Sequence, residues 1–174
     1  MTRSLALLNT ADDSLPQCEV LRLALQEAAA EVGGLGGLVH LRRPEAARGL
    51  YLAASAGLSP AFTRCWQEIA GDAAAAPAAA ARRRRLVWFP MPEGPGAGMV
   101  SVPLRKAGGE LFGALTVVTA TPGEPTAGQR DALAAVAGWA AGRLRPAGVR
   151  SGTPAGVGVW RSRRVRLVCG GRSG

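Results

Sequence analysis

The stretch Val102–Val118, VPLRKAGGELFGALTVV, decides how this chain folds. Its centre, Lys106-Ala-Gly-Gly109, is a polar, glycine-rich turn signal between two apolar runs, and predicts a β-hairpin. On the second arm, alternation places Leu111, Gly113, Leu115 and Val117 on one face. Phe112, Ala114, Thr116 and Val118 fall on the other. Neither face is polar, whereas a strand with one wet side alternates apolar and polar residues. The expectation is a strand covered from both sides.

Upstream, Asp13 or Ser14 is placed to cap a helix running to about Val32, with Leu21, Leu25, Ala28 and Val32 as its apolar stripe. Gly33–Gly37 (GGLGG) is read as its end. LVHLRR from Leu38 reads as a short strand and Gly49–Gly57 as its returning partner. Ser59-Pro60 opens a further helix, expected to carry Phe62, Trp66 and Ile69. In the alanine-rich segment Gly71–Arg85, Pro77 is expected to interrupt a helical fragment and leave a mobile loop. LVWF (Leu86–Phe89) reads as a strand, followed by a loop and the opening hairpin. Thr126-Ala-Gly-Gln129 is a capping box starting a helix to about Leu144, before Pro146. Hairpin-joined strands with helices set apart predict an α+β fold around an antiparallel sheet of about five to six strands.

Composition narrows the classes. Hydrophobic residues make up 48% of the 174, so a folded core is expected; aromatics are only 5%, so that core should be thin and alanine-packed. Net charge is +9, carried unevenly: from Arg145 onward there are seven arginines and no acid, against 14 basic and 12 acidic residues elsewhere. Lys106 is the only lysine, which with abundant Ala, Gly and Pro points to a GC-rich bacterial genome. Cys18, Cys65 and Cys169 lie far apart with no CxxC, arguing against a disulfide framework and for a reducing cytoplasm. No apolar run approaches the ~20 residues that span a bilayer.

Several motifs together carry a family resemblance. They are Val102-Pro-Leu104, Gly113-Ala-Leu115-Thr-Val117, Thr126-Ala-Gly-Gln-Arg-Asp-Ala-Leu133 with Ala137-Gly-Trp-Ala-Ala141, and Ala54-Ser-Ala-Gly-Leu58. In them the chain, over roughly residues 15–144, resembles a GAF domain. The resemblance is greatest to the sensory domains found beside PPM-type serine/threonine phosphatases and histidine kinases in GC-rich bacteria. It implies terminal helices on one face of the sheet, and loops and short helices roofing a pocket on the other. It also implies signal sensing without catalysis, through a small ligand or a partner protein such as a phosphatase or kinase. Dimerisation through the helices Asp13–Val32 and Thr126–Leu144 is a further implication. Three parts follow: a flexible start over 1–12, a sensory domain over 13–145, and a disordered basic tail over 146–174.

Candidate site residues are few. Trp66 and Trp88, with Met99, are suited to an apolar pocket, although core packing explains such residues equally well. His40, the only histidine, has the type of a haem ligand, but sits between Val39 and Leu41 as a covered strand residue would. Cys65, in RCWQ, is the only cysteine expected near the pocket. A bilin thioether there, or a redox enzyme like the free-methionine-sulfoxide reductases of the family, lacks a following histidine or a resolving cysteine. The family's cyclic-nucleotide signature needs an asparagine inside the domain, and the only one is Asn9. Arg82–Arg85 has the charge to hold a phosphate or carboxylate, and equally reads as a solvated loop. The arginine tail suggests an alternative class, a nucleic-acid-associated protein, and a tail read out of frame would suggest a longer sensor cut short. No cofactor is specified by any of these residues.

Overall fold

The structure, a computed structural model, describes residues 15–43 and 49–145. The basic tail, the start of the chain and the turn at 44–48 lie outside the described residues. Helix α1 (Gln17–Val32) is followed by β1 (Gly34–Arg42), β2 (Gly49–Ala56), the short α2 (Pro60–Arg64), β3 (Glu68–Ala70), α3 (Ala76–Arg83), β4 (Val87–Pro90), β5 (Gly98–Arg105), β6 (Leu111–Thr119) and α4 (Ala127–Arg143). The strands form one six-stranded sheet in the order β3-β2-β1-β6-β5-β4, and every pairing is antiparallel.

The two central strands are covered on both sides. Leu115 and Val117 of β6 join Val39 of β1 and Val100 and Val102 of β5 beneath α1 and α4. Ala114 and Val118 face the other way, with Leu38 and Met99, against Ala76, Ala79 and Ala80 of α3. Alanine is what lets α3 lie so close: a helix without long side chains settles its backbone near the sheet. Buried β-branched and leucine side chains supply the core, each contributing about 1.5–3 kcal/mol.

At the start of β6 the pairing shifts register. Leu104 pairs with Gly113 but Arg105 pairs with Leu111, so Phe112 has no partner of its own. This reverses the phase read from strict alternation. Phe112 packs on the helix-covered core, and Leu111 lines a cavity beside α3. The strand is doubly covered, as expected, but its first two residues sit on the opposite faces to those predicted, because a bulge moves every side chain before it across the sheet. Gly113 permits this geometry. A Cβ there would lie 1.9 Å from the His40 carbonyl oxygen, so β1 and β6 approach closer than any side chain tolerates.

Other boundaries differ from the sequence reading for local reasons. Only Gly33 of GGLGG ends α1, its left-handed backbone (φ 60°) returning an N–H to the Ala29 carbonyl. The remaining glycines belong to β1, where a Cβ on Gly37 would meet Leu25 of α1 at 2.7 Å and the Thr116 carbonyl at 2.8 Å. Pro77 does not interrupt a helix but lies in the first turn of α3, where its missing N–H costs nothing. The helix opened by Ser59 is a single turn long: Trp66 follows it and Ile69 lies in β3. The capping box is present in both directions. Gln129 N–H donates to Thr126 Oγ1 at 3.3 Å, and Thr126 N–H donates to Gln129 Oε1 at 2.9 Å. The Gln129 amide also donates to the Glu31 carbonyl at 3.3 Å, tying the start of α4 to the end of α1. Trp139 faces the core, with the Arg143 guanidinium 4.6 Å from its ring centroid.

Candidate functional site

The α3 face of the sheet opens at one end into an apolar cleft of about 650 Å³. One wall is the segment from α2 through β3 to the first residues of α3. The other is the end of β4 and the loop after it. Phe62, Trp66 and Ile69 line the first wall, Phe89 and Met91 the second, and Met99 of β5 forms part of the floor. Phe62 and Trp66 stack at 5.9 Å between centroids, tilted by 34°. Ser59 holds this wall in place: its Oγ accepts from the Phe62 N–H at 3.3 Å.

Trp66 is tied to the sheet beneath. The His40 Nε2–H donates to the Trp66 carbonyl at 2.8 Å, and the two rings meet edge-on at 6.4 Å. His40 is fully buried, and its Nδ1 has no partner among the described residues. Burial holds its pKa below the ordinary 6.5, opposed in part by the Trp66 hydrogen bond. On the same face, Ser101 Oγ and Thr116 Oγ1 share a hydrogen bond of 2.8 Å, so these two buried hydroxyls satisfy each other.

The expected site residues are thus partly brought together. Trp66, Cys65 and Met99 line the cleft, with Cys65 exposed at its rim. His40 sits behind Trp66 rather than in the cleft. Its one bonded nitrogen is engaged by a carbonyl and the other is buried, so the ring is not presented as an axial ligand to a haem in the cleft. Trp88 is placed apart. It pairs with Val100 and packs on the helix-covered face, because Phe89, its neighbour along β4, is the residue that faces Met99 and the cleft. Phe62, Phe89 and Met91 were not singled out from sequence. The parity of LVWF against Met99 was the available signal for Phe89. Cys18, on α1, belongs to the opposite side of the sheet from Cys65. No group of three or more His, Cys, Asp or Glu among the described residues is arranged to hold a metal ion.

The arginine run divides between two other cavities. Arg82 and Arg84 line one of about 370 Å³ with Arg42 and Asp72; Arg83 and Arg85 line another with Glu124 and Arg130. Arg82 Nη1 is already held by the Gly71 and Ala73 carbonyls at 2.5 and 3.1 Å. The four side chains therefore form no single anion cradle.

An antiparallel sheet with the chain's two long helices on one face, and a roofed apolar cleft on the other, defines a class of α+β domain. Among solved structures, the GAF-B domain of DevS from Mycobacterium smegmatis is similar at 28% identity and TM-score 0.58, over 74% of this chain and 92% of that one. A second structure of that DevS domain gives 29% identity and TM-score 0.57, over 72% and 91%. The GAF domain of an Acinetobacter phosphoenolpyruvate-protein phosphotransferase shares the fold at 16% identity and TM-score 0.64, over 81% and 87%. No family model matches the sequence, and no curated protein does. The chain has the fold of a GAF domain. No described helix is long and apolar enough to cross a membrane.

Proposed function

We propose that this chain is a non-catalytic, signal-sensing domain that binds a small, largely apolar molecule in the cleft between Phe62, Trp66, Phe89 and Met99. The observation that carries this reading is the cleft itself, about 650 Å³ of mostly apolar lining that includes Trp66. A space of that size and character is what a small-molecule site requires. Occupancy would press on Trp66, and through its carbonyl on His40 in β1, the strand next to β6 at the middle of the sheet. From there the effect would reach α1 and α4, which pack on the far face and are the natural route to a second copy or to a phosphatase or kinase partner.

A fragment screen followed by ¹H–¹⁵N NMR tests this. Binders are expected to shift the Trp66 indole and the amides of Phe62, Phe89 and Met99 together. Trp66→Ala, with its fold verified by circular dichroism, should weaken them about tenfold or more, since a large aromatic anchor dominates such sites. A screen that shifts none of these signals would overturn the proposal.

A further inference from the structure

We infer that the cleft selects an organic cation, a molecule with an apolar body and an ammonium head, over neutral or anionic molecules of the same shape. This rests on the reading of the cleft as a ligand site. The chain as a whole carries +9, yet among the described residues the only charged side chains lining the cleft are Glu68 and Glu93. They approach from opposite edges of the sheet: Glu68 belongs to β3 and Glu93 follows β4, the two outermost strands. Glu68 already pairs with Arg43 at 2.5 Å. Glu93 is exposed and makes no ion pair among the described residues. With the acids, the cleft is lined by the aromatic residues Phe62, Trp66 and Phe89 and by Met91 and Met99.

These groups share one preference. Aromatic faces carry negative electrostatic potential and attract a cation placed over them. A carboxylate at the rim adds a longer-range attraction that the apolar walls screen less than water does. An anion entering the same space meets the unpaired Glu93 carboxylate, and the guanidinium beside the cleft, Arg43, is already taken by Glu68. The arginines that would welcome it line separate cavities at Arg42, Arg82 and Arg84, and at Arg83, Arg85 and Arg130. A neutral molecule gains the apolar contact alone.

Three probes of one shape test it in the full chain: 2-(1-naphthyl)ethylamine, 2-(1-naphthyl)ethanol and 1-naphthylacetate, titrated at neutral pH and low ionic strength with the Trp66 indole and calorimetry as readouts. The amine is expected to bind about fivefold or more tighter than the alcohol, with the carboxylate weakest, the ratio that one rim charge and a cation–π contact supply. Glu93→Gln, at an exposed loop position, should narrow the gap between amine and alcohol to the part that the aromatic side chains supply. Equal binding of amine and alcohol, tightest binding of the carboxylate, or an undiminished amine preference in Glu93→Gln would each overturn charge selection and leave the cleft a ligand site. Absence of binding by all three would overturn the ligand site and the inference together.

Discussion

His40 lies on the sheet beneath Trp66 with one ring nitrogen donating to a carbonyl and the other without a partner among the described residues. A second ring proton would add buried charge without a partner, so the folded protein holds this histidine neutral more strongly than the unfolded chain does. The consequence for stability has a definite sign. The folded pKa lies below the ordinary 6.5, so as pH falls past that value the unfolded chain takes up a proton that the folded one refuses. Stability is therefore full above about 6.5 and is lost on acidification, with a slope of at most about 1.4 kcal/mol per pH unit for one proton, until the folded pKa is reached. Urea unfolding between pH 7 and pH 5 should show this slope in the native chain. His40→Gln keeps an amide donor near the Trp66 carbonyl and removes the titration, so its midpoint should vary less over that range. Equal slopes in the two proteins would mean that His40 is not the group responsible.

At the level of the element, β6 is the most constrained strand. It pairs with β1 and β5 along most of its length and is covered by helices on both faces. Gly113 marks where the pairing shifts and where the backbones of β1 and β6 come closest. Gly113→Ala would drive a Cβ against the His40 carbonyl, which is main chain and cannot swing aside. A loss of about 3 kcal/mol is expected, at the upper end of overpacking costs. Gly138 offers the contrast: it lies on the exposed side of α4 and a Cβ there meets nothing within 4 Å. Gly138→Ala should raise stability by about 0.5–1 kcal/mol through helix propensity. Denaturant melts of both variants decide it, and a tolerated Gly113→Ala would show that β1 and β6 can separate. α3 teaches a related lesson. Its proline looks like a breaker in isolation, and becomes a first-turn residue once the preceding loop is seen to be extended at Ala75.

At the scale of the whole molecule, the architecture follows from giving each sheet face its own cover. The described core is contained within residues 15–145, from Val20 on α1 to Leu144 after α4. The edges are short, three residues in β3 and four in β4 with Pro90 at its end, which limits further strand addition. A chain trimmed to residues 15–145 is accordingly expected to unfold in one cooperative transition with a thermal midpoint within a few degrees of the full protein. A broad or absent transition would show that residues outside that span complete the fold.

Local chemistry in the sequence determined the elements that rest on neighbours in the chain. The Thr126 capping box, the Ser59-Pro60 start and the doubly apolar β6 were legible because caps, turns and apolar runs act over three or four residues. The GAF layout was legible from the same packing motifs, with its two differently covered faces. The tertiary structure alone decided which side each side chain takes. The bulge beside Gly113 exchanged Leu111 and Phe112, and the pairing of β4 with β5 sent Phe89 into the cleft and Trp88 to the far face. Arg82–Arg85 was divided between two cavities in the same way. Each of these depends on hydrogen bonds to a strand or helix distant in sequence, and one residue of register moves a side chain from one face of the sheet to the other.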